Sequence, residues 1–442
     1  MKQKKNIGFG WRGIMLLIYQ FLAFVGFTVF TNWPMNILTT ELPDIYGSSQ
    51  STSILYTICM LVGIVIQLVL SRYVGKIKSI KWMSVIFGVI SIIGALGVAL
   101  IPGGPLWTVS YALVCIFSVV YGMFAIGILV GQWFPRRKGT FMGIATFAFP
   151  IVNGLIAPFA NAVFKYMPTT HELNVTGAFL PYIILYIVGL LIGAIFIKDY
   201  PEQCGAYRDN DKSFTPEMAN AMMMEEIENK KTTVWKLGNT LKSTQFWLIT
   251  IPMGALLMCS VGLMTQTNAI IGAYPELPFE GVMAMVMIVA CFGSWLLGVI
   301  DTKYGTKLAV TISVVIMLLS GILGGIGKTL TTTIAIVLLA IFMGAGSNFT
   351  VSAAAQYWRR EDFPSVFAAV NPVANVLQCI GPMMVTMAVA KNVTAPFWIT
   401  AVIAVISLVL VLCFKPSKVK ETDDKYRAAA GKPLDDTLAE RK

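Results

Sequence analysis

Three carboxamide side chains stand close together near the end of the sequence: Asn371, Asn375 and Gln378. Separations of four and three residues would place all three on one face of a helix. A carboxamide donates and accepts hydrogen bonds, but it neither titrates nor attacks a carbon atom. Such groups recognise a solute without altering it, and we expect Asn375 and Gln378 to contact one. The alternative for each is a hydrogen bond between neighbouring helices.

The side chains that could catalyse a reaction are sparse. Seven cysteines are scattered singly along the chain, and His171 is its only histidine. No pair of them has the spacing of a metal site or a disulfide framework, and no serine nucleophile motif or phosphate-binding loop is present. We therefore predict no metal, no cofactor and no enzyme activity.

The elements that must hold these carboxamides are long apolar runs. Of the 442 residues, 56% are hydrophobic and 12% are charged, too few charges for the surface of a soluble protein of this size. Runs of about 20 apolar residues can cross a bilayer as helices, so the sequence predicts an all-α membrane protein with twelve transmembrane helices. The predicted spans are residues 12–36, 52–70, 83–101, 107–131, 139–164, 177–197, 246–271, 281–300, 307–327, 330–354, 364–390 and 394–414.

Positive charges are distributed unequally between the two ends of these spans. Of the 33 Lys and Arg residues, all but Lys165, Lys328 and Lys391 fall on one side. Cytoplasmic loops carry such an excess, so we expect both termini in the cytoplasm, and the net charge of +11 reflects topology rather than nucleic-acid binding. No charged residue falls at mid-membrane, which favours exchange or facilitated diffusion over coupling to protons.

The chain divides into two halves of six predicted spans each. Residues 1–197 form the first half and residues 246–414 the second. Residues 198–245 form a polar linker, in which Thr215-Pro216-Glu217 predicts the start of a short helix. Residues 415–442 form a cytoplasmic tail.

Two basic loops of the first half have counterparts in the second. SRYVGKIKSIKW (71–82) is answered by DTKYGTKLA (301–309), and GQWFPRRKG (131–139) by AQYWRREDFPS (355–365). Two related six-helix halves of the same orientation are typical of one large architecture of transporters. The sequence therefore predicts two pseudo-symmetric six-helix bundles.

The string GVIDTKYGTK (298–307) resembles the cytoplasmic G-x-x-x-D-R/K-x-G-R/K signature of the major facilitator superfamily. This resemblance implies that the motif locks the cytoplasmic helix ends by charge pairing. The first-half copy has Ser71 in place of the acid and an extra residue, Val74, so we expect a weaker lock there. The predicted cytoplasmic gate comprises Arg72, Gly75, Arg136, Arg137, Asp301, Lys303, Gly305, Arg359 and Arg360.

A narrower resemblance is to the oxalate:formate antiporter family, which is related to monocarboxylate transporters. It rests on WFPRRKGTFMGI (133–144), YPEQCGAYRDN (200–210) and IGP (380–382). Members that carry dicarboxylates hold the anion between an Arg in span eight and a Lys in span eleven. Ser294 and Asn375 stand near those places here, so we expect a monocarboxylate, or alternatively a bulky amphipathic or neutral organic solute.

In this architecture, spans one, four, seven and ten face a central cavity most directly. We expect a small-molecule substrate and the lipid bilayer as partners, no nucleic acid, a monomer and a bacterial inner membrane. A membrane-embedded enzyme and a sensor with a transporter body are the alternatives. The candidate substrate-binding residues are Tyr19, Gln20, Asn32, Tyr121, Asn153, Gln266, Asn268, Asn348, Asn371, Asn375 and Gln378.

Overall fold

The computed structural model describes residues 8–74, 76–156, 158–159, 174–231, 233–359, 361–432 and 434. Within these ranges the chain is helical and forms no strand. Ten of its helices are long and apolar enough to cross a membrane. They are α1 (Trp11–Leu38), α2 (Ser49–Tyr73), α3 (Ile80–Leu100), α4 (Gly104–Trp133), α6 (Val175–Phe196), α7 (Thr244–Thr265), α8 (Phe279–Tyr304), α9 (Thr306–Gly325), α11 (Phe363–Val389) and α12 (Ala395–Cys413).

The two remaining spans, α5 and α10, are interrupted in the middle. In α5, Lys138–Ala145 and Ala148–Gly154 are separate helical pieces. Pro150 explains this break, because its nitrogen carries no hydrogen to donate to the Thr146 carbonyl and its ring clashes with that carbonyl. In α10, Thr329–Phe342 and Ala345–Tyr357 are separated at Gly344, and a second glycine follows at 346. The last part of predicted span five, beyond residue 159, lies outside the described residues.

The helices pack as two bundles of six. In the first bundle α1 lies against α6 and α3 against α4, while in the second α7 lies against α11 and α9 against α12. The bundles meet mainly where α2 packs on α11 and where both pieces of α5 pack on α8. The predicted all-helical, twelve-span architecture is confirmed.

Apolar side chains cover the outside of the bundles. Ile93 on α3, Ile195 on α6, Ile288 on α8 and Val402 on α12 are each more than half exposed. Apolar patches of this extent mark a surface that contacts something other than water. Because the helices are also long enough to cross a membrane, this outer surface is the one that would contact lipid.

Short helices lie at one end of the bundles. The linker helix, Pro216–Lys231, follows Thr215, whose hydroxyl accepts a hydrogen bond from the Met218 N–H at 3.3 Å. The tail helix, Pro416–Ala429, was not predicted from the sequence. We call this end, which also carries residues 71–74, 76–80 and 134–138, the basic face. The other end, which carries residues 41–48 and 390–394, is the opposite face.

Candidate central cleft and its two gates

A narrow cleft lies between the bundles at their centre. Its lining comes from α1, α4, α5, α7, α10 and α11. Its volume is about 20 Å³, which is room for a single water molecule. The lining residues are Phe27, Asn32, Met123, Phe149, Asn153, Leu257, Ser260, Val261, Met264, Met343 and Gln378.

Three of the predicted substrate-binding residues meet in this cleft: Asn32, Asn153 and Gln378. Asn153 donates through Nδ2 to the Phe149 carbonyl at 2.9 Å, and Asn32 accepts from the Thr31 hydroxyl at 3.3 Å. Gln378 is buried, and its Oε1 has no hydrogen-bond partner among the described residues. Such an acceptor is costly to bury unless a ligand or water bonds to it, so Gln378 is the strongest candidate for a substrate contact.

Apolar side chains form the rest of the wall. Phe149 stacks on Phe24 with ring centroids 4.8 Å apart and meets the edge of Phe27 at 6.3 Å. Met123, Met264 and Met343 line the cleft from α4, α7 and α10. Methionine side chains adapt to irregular shapes, so this wall suits an apolar body of variable form.

Among the described residues, no Lys, Arg, His, Asp or Glu lines the cleft. A dianion would therefore lose its hydration without gaining an opposite charge, at a cost of at least several kcal/mol. A neutral solute would avoid this cost, and a single negative charge would meet less of it.

Three other predicted residues pack inside the first bundle instead of the cleft. Tyr19 Oη lies 2.7 Å from Ser84 Oγ, and its ring lies 5.7 Å from that of Tyr121. Gln20 donates through Nε2 to the Gly122 carbonyl at 2.9 Å. That carbonyl belongs to a π-helical stretch of α4, Val119–Ala125. The structure thus places these side chains in contacts between helices of one bundle.

The remaining candidates also lie outside the cleft lining. Asn371 donates to Gln67 Oε1 at 3.3 Å, which links α11 to α2. Asn375 and Asn348 are buried, and each has a side-chain nitrogen without a partner among the described residues. Asn268 is half-buried beyond the end of α7.

Contacts between the bundles close the cleft toward the opposite face. Gln266 Nε2 donates to Ser49 Oγ at 3.4 Å, near the end of α7. Deeper along α2, the Thr57 hydroxyl donates to the Cys379 carbonyl of α11 at 2.8 Å. Gln266, predicted to bind substrate, therefore takes part in this closure.

A second set of contacts closes the cleft toward the basic face, where α5 meets α8. The hydroxyl oxygens of Thr140 and Thr302 are 3.3 Å apart. Gly139 allows an even closer approach, because a Cβ atom there would lie 2.7 Å from Asp301 Oδ2. Beside it, the Lys138 ammonium lies 3.6 Å from the centroid of the Phe363 ring on α11. Contacts among the described residues thus join the two bundles on both sides of the cleft.

Asp301 and Gly305 of the predicted gate lie at this closure. The Asp301 carboxylate is buried at the end of α8 and accepts the Thr306 hydroxyl at 2.5 Å. Gly305 separates α8 from α9 with a φ of 96°, a conformation that favours glycine. Lys303 is exposed above the Tyr304 ring, and Arg72 is exposed in the last turn of α2. Gly75 and Arg360 lie outside the described residues.

The arginines at 136, 137 and 359 contact the linker and the tail. The backbone N–H groups of Arg136 and Arg137 donate to Asp209 Oδ1 at 3.0 and 3.1 Å. Arg359 donates through Nε to Asp423 at 2.9 Å. Neither aspartate was predicted from the sequence. Asp209 adopts a φ of 52°, which Asp and Asn tolerate better than most residues. Its residue type was therefore the only signal in the sequence, and a weak one.

A larger cavity, of about 470 Å³, lies beyond the closure at the basic face. The linker covers it with Arg208, Asp209, Phe214 and Met222, while the gate forms its floor. Arg208 is itself buried between Glu202 and Glu226, with a 2.8 Å bond to the latter. This cavity therefore lies between the closure and the linker.

Comparison with known proteins places the chain. The profile of the Major Facilitator Superfamily matches residues 16–382, and a further match covers 279–438. The inner membrane transport protein RhmT of Escherichia coli (strain K12) is 26% identical over 222 residues, which make up 48% of this chain and 49% of RhmT. The chain thus matches about half the length of this curated relative.

Two solved structures share the fold. One is the proton:xylose symporter XylE bound to 6-bromo-6-deoxy-D-glucose, with a TM-score of 0.69, 13% identity and coverage of 91% of this chain and 95% of XylE. The other is the human organic anion transporter MFSD10 (TETRAN), with a TM-score of 0.66, 9% identity and coverage of 90% and 98%. At these identities the likeness shows the fold alone. Since the family profile matches most of its length, this chain belongs to the Major Facilitator Superfamily and is a transporter rather than an enzyme.

Proposed function

We propose that this transporter moves an organic solute with an apolar body and a polar end that carries at most one negative charge. The observation that carries this proposal is the composition of the cleft. Asn32, Asn153 and Gln378 meet there, with aromatic and Met side chains around them and no charged side chain among the described residues. Alternating access by rocking of the two bundles would expose this cleft to each side in turn.

Within this class, a monocarboxylate with an apolar side is our first candidate, in line with the resemblance to the oxalate:formate antiporter family. An uncharged amphipathic solute is the second. The Met-rich wall supports both, since it accommodates apolar groups of different shapes. XylE and MFSD10 are described as binding a sugar derivative and carrying organic anions, but their low identity transfers neither substrate to this chain.

We further propose that the basic face lies in the cytoplasm of a bacterial cell, so that the linker and both termini are cytoplasmic. The excess of Lys and Arg on that side supports this orientation. The proposed boundaries of the two halves, 1–197 and 246–414, leave the linker outside both. We expect a monomer that works by exchange or facilitated diffusion.

A thermal-shift screen of the purified protein tests the substrate class. Two panels are compared: monocarboxylates and neutral amphipathic solutes in one, oxalate and other dicarboxylates in the other. A ligand that binds only the folded state at 100 times its Kd stabilises it by about 2.7 kcal/mol. We expect stabilisation by the first panel only.

Two matched variants locate the binding site of each hit. Gln378→Ala removes a carboxamide that lines the cleft, and Asn371→Ala removes one on the same helix that bonds to Gln67 outside it. The shift should disappear in Gln378→Ala and persist in Asn371→Ala. Stabilisation by a dicarboxylate that depends on Gln378 would contradict the proposed substrate class.

A further inference from the structure

A buried cluster of charged residues joins three segments at the basic face. They are the linker at 233–242, the loop between α10 and α11, and the tail helix. Asp423 of the tail helix stands at its centre and is 1% exposed. It accepts hydrogen bonds from Trp235 Nε1 of the linker at 2.8 Å and from Arg359 Nε of the loop at 2.9 Å.

Arg427, one helical turn further along, connects the same tail helix to two more carboxylates. Its Nη2 donates to Glu361 at 2.7 Å and to Asp362 at 2.8 Å. Its Nε donates to Asp423 at 3.1 Å. Such a multiply bonded guanidinium cannot be replaced by the single ammonium of lysine without loss of contacts.

Apolar and backbone contacts dock the tail helix at the same place. The ring of Trp235 meets the rings of Trp358 and Tyr426 edge to face, with centroids 5.7 and 5.3 Å apart. Tyr426 Oη donates to the Asn239 carbonyl at 3.3 Å, and Val419 is buried. The tail helix therefore packs on both the linker and the loop, which also touch each other where Trp235 meets Trp358.

We propose that the docked tail helix is a proton-sensitive clamp that holds the end of the linker and the loop between α10 and α11 together at the basic face. This inference concerns regulation and does not depend on the identity of the substrate. Because the linker covers the cavity at the basic face, a clamp on its second end restrains how far it can move.

The proton site of the clamp is Asp362, which is fully buried. Thr233 of the linker donates a hydrogen bond to one of its oxygens, and Arg427 bonds to the other. Glu361 and Asp423 face it with like charge, and Arg359 belongs to the same cluster. Lys236 and Lys242, the charges on the adjoining linker segment, form no ion pair within the described residues. Arg360 lies outside those residues.

Burial raises the pKa of Asp362 to about 6, despite its hydrogen bond from Thr233 and the charge of Arg427. Undocking of the tail would expose the carboxyl group and return its pKa toward the usual value of 3.8. The docked form therefore binds the proton more tightly, so docking strengthens as the pH falls through about 6 and weakens as it rises. This linkage predicts an approximately tenfold change in the docking equilibrium between pH 7.5 and pH 5.

Hydrogen–deuterium exchange of the full-length protein measures this equilibrium, because amide protection reports local opening. We expect the protection of residues 416–429, corrected for intrinsic exchange rates, to rise about tenfold from pH 7.5 to pH 5 in the wild type. Asp362→Asn should abolish this dependence, while Asp424→Asn, on the tail helix but outside the cluster, should retain it. A pH-independent wild type, or an Asp362→Asn variant that behaves like the wild type, would overturn the proton site.

The clamp itself is tested by Arg427→Lys, with Lys425→Arg as the matched change at an exposed position of the same helix. We expect Arg427→Lys to lower the protection of the tail helix and of residues 233–242 together. Unchanged protection of α1–α12 would show that the bundles remain folded. Loss of protection in the tail helix alone would refute the clamp, since the linker would then be held without it.

Discussion

Replacement of Gly139 by alanine tests the closure at the basic face. A Cβ atom at this position would lie 2.7 Å from Asp301 Oδ2 and 2.9 Å from Thr302 Oγ1. Both atoms belong to the other bundle, and Asp301 is held by its bond to Thr306. The added methyl group therefore requires these two side chains to move or α5 and α8 to separate at this end, and the bond to Thr306 resists the movement of Asp301.

Overpacking of this kind costs about 1–3 kcal/mol. The cost applies only while the basic face is closed, so it shifts the equilibrium toward conformations open on that side. An energy of this size changes the ratio of closed to open molecules by about 5- to 150-fold. Gly143→Ala is the matched control, because it lies one turn along α5, faces the same helix and would place its Cβ no closer than 3.4 Å to any atom.

Pulsed electron paramagnetic resonance can measure the separation of the bundles. Spin labels at Tyr73→Cys and Tyr304→Cys would report it, since both positions are exposed ends of helices at the basic face. The seven native cysteines, all unpaired, would be replaced first. We expect a longer population of distances in Gly139→Ala and a distribution like the wild type's in Gly143→Ala. Equal distributions in the two variants would refute the steric role of Gly139.

Further predictions concern the cleft, the linker and the crossing of α7 with α11. Gln378→Glu should abolish the thermal shift by a monocarboxylate and preserve that by a neutral solute, because only the anion is repelled by a new carboxylate. Equal losses for both ligands would show that the substitution merely damages the cleft. Asp209→Asn should lower the free energy of unfolding by about 1.5–3 kcal/mol in denaturant titrations, since it weakens charge-assisted bonds to two backbone N–H groups. Its control is Asp211→Asn, which affects an exposed ion pair with Arg136 and should cost about 0–1 kcal/mol. Gly381→Ala should lower the melting temperature, because its Cβ would lie 2.2 Å from the Met258 carbonyl oxygen; Gly272→Ala, with no atom within 4 Å, is its control.

Hydropathy alone predicted the twelve spans, because a membrane helix can be recognised from the length and composition of its apolar run. Hydropathy could not reveal the breaks in α5 and α10, since Pro150 and Gly344 interrupt the backbone without changing the apolar character of either run. The tail helix carried readable signals: Pro416 lies at its first turn, and Gly431 follows its end with a φ of 64°. Its low hydropathy hid the buried Asp423 and Arg427.

The sequence predicted a set of candidate substrate-binding residues but not which of them line the cleft. Asn32 and Gln20 are both amides on α1, yet one faces the cleft and the other bonds to a carbonyl of α4. Which face of a helix turns toward the cleft depends on how the helices pack, and this information lies in contacts distant in sequence. The three carboxamides of α11 illustrate this limit of prediction from sequence. They were predicted to share one helix face, yet only Gln378 lines the cleft.

The small volume of the closed cleft bears on the kinetics of the carrier. A space of about 20 Å³ is too small for an organic solute, so the two bundles must separate around any solute that occupies the cleft. The empty carrier has no such requirement. We therefore expect the transit of the loaded carrier and the return of the empty one to differ in rate.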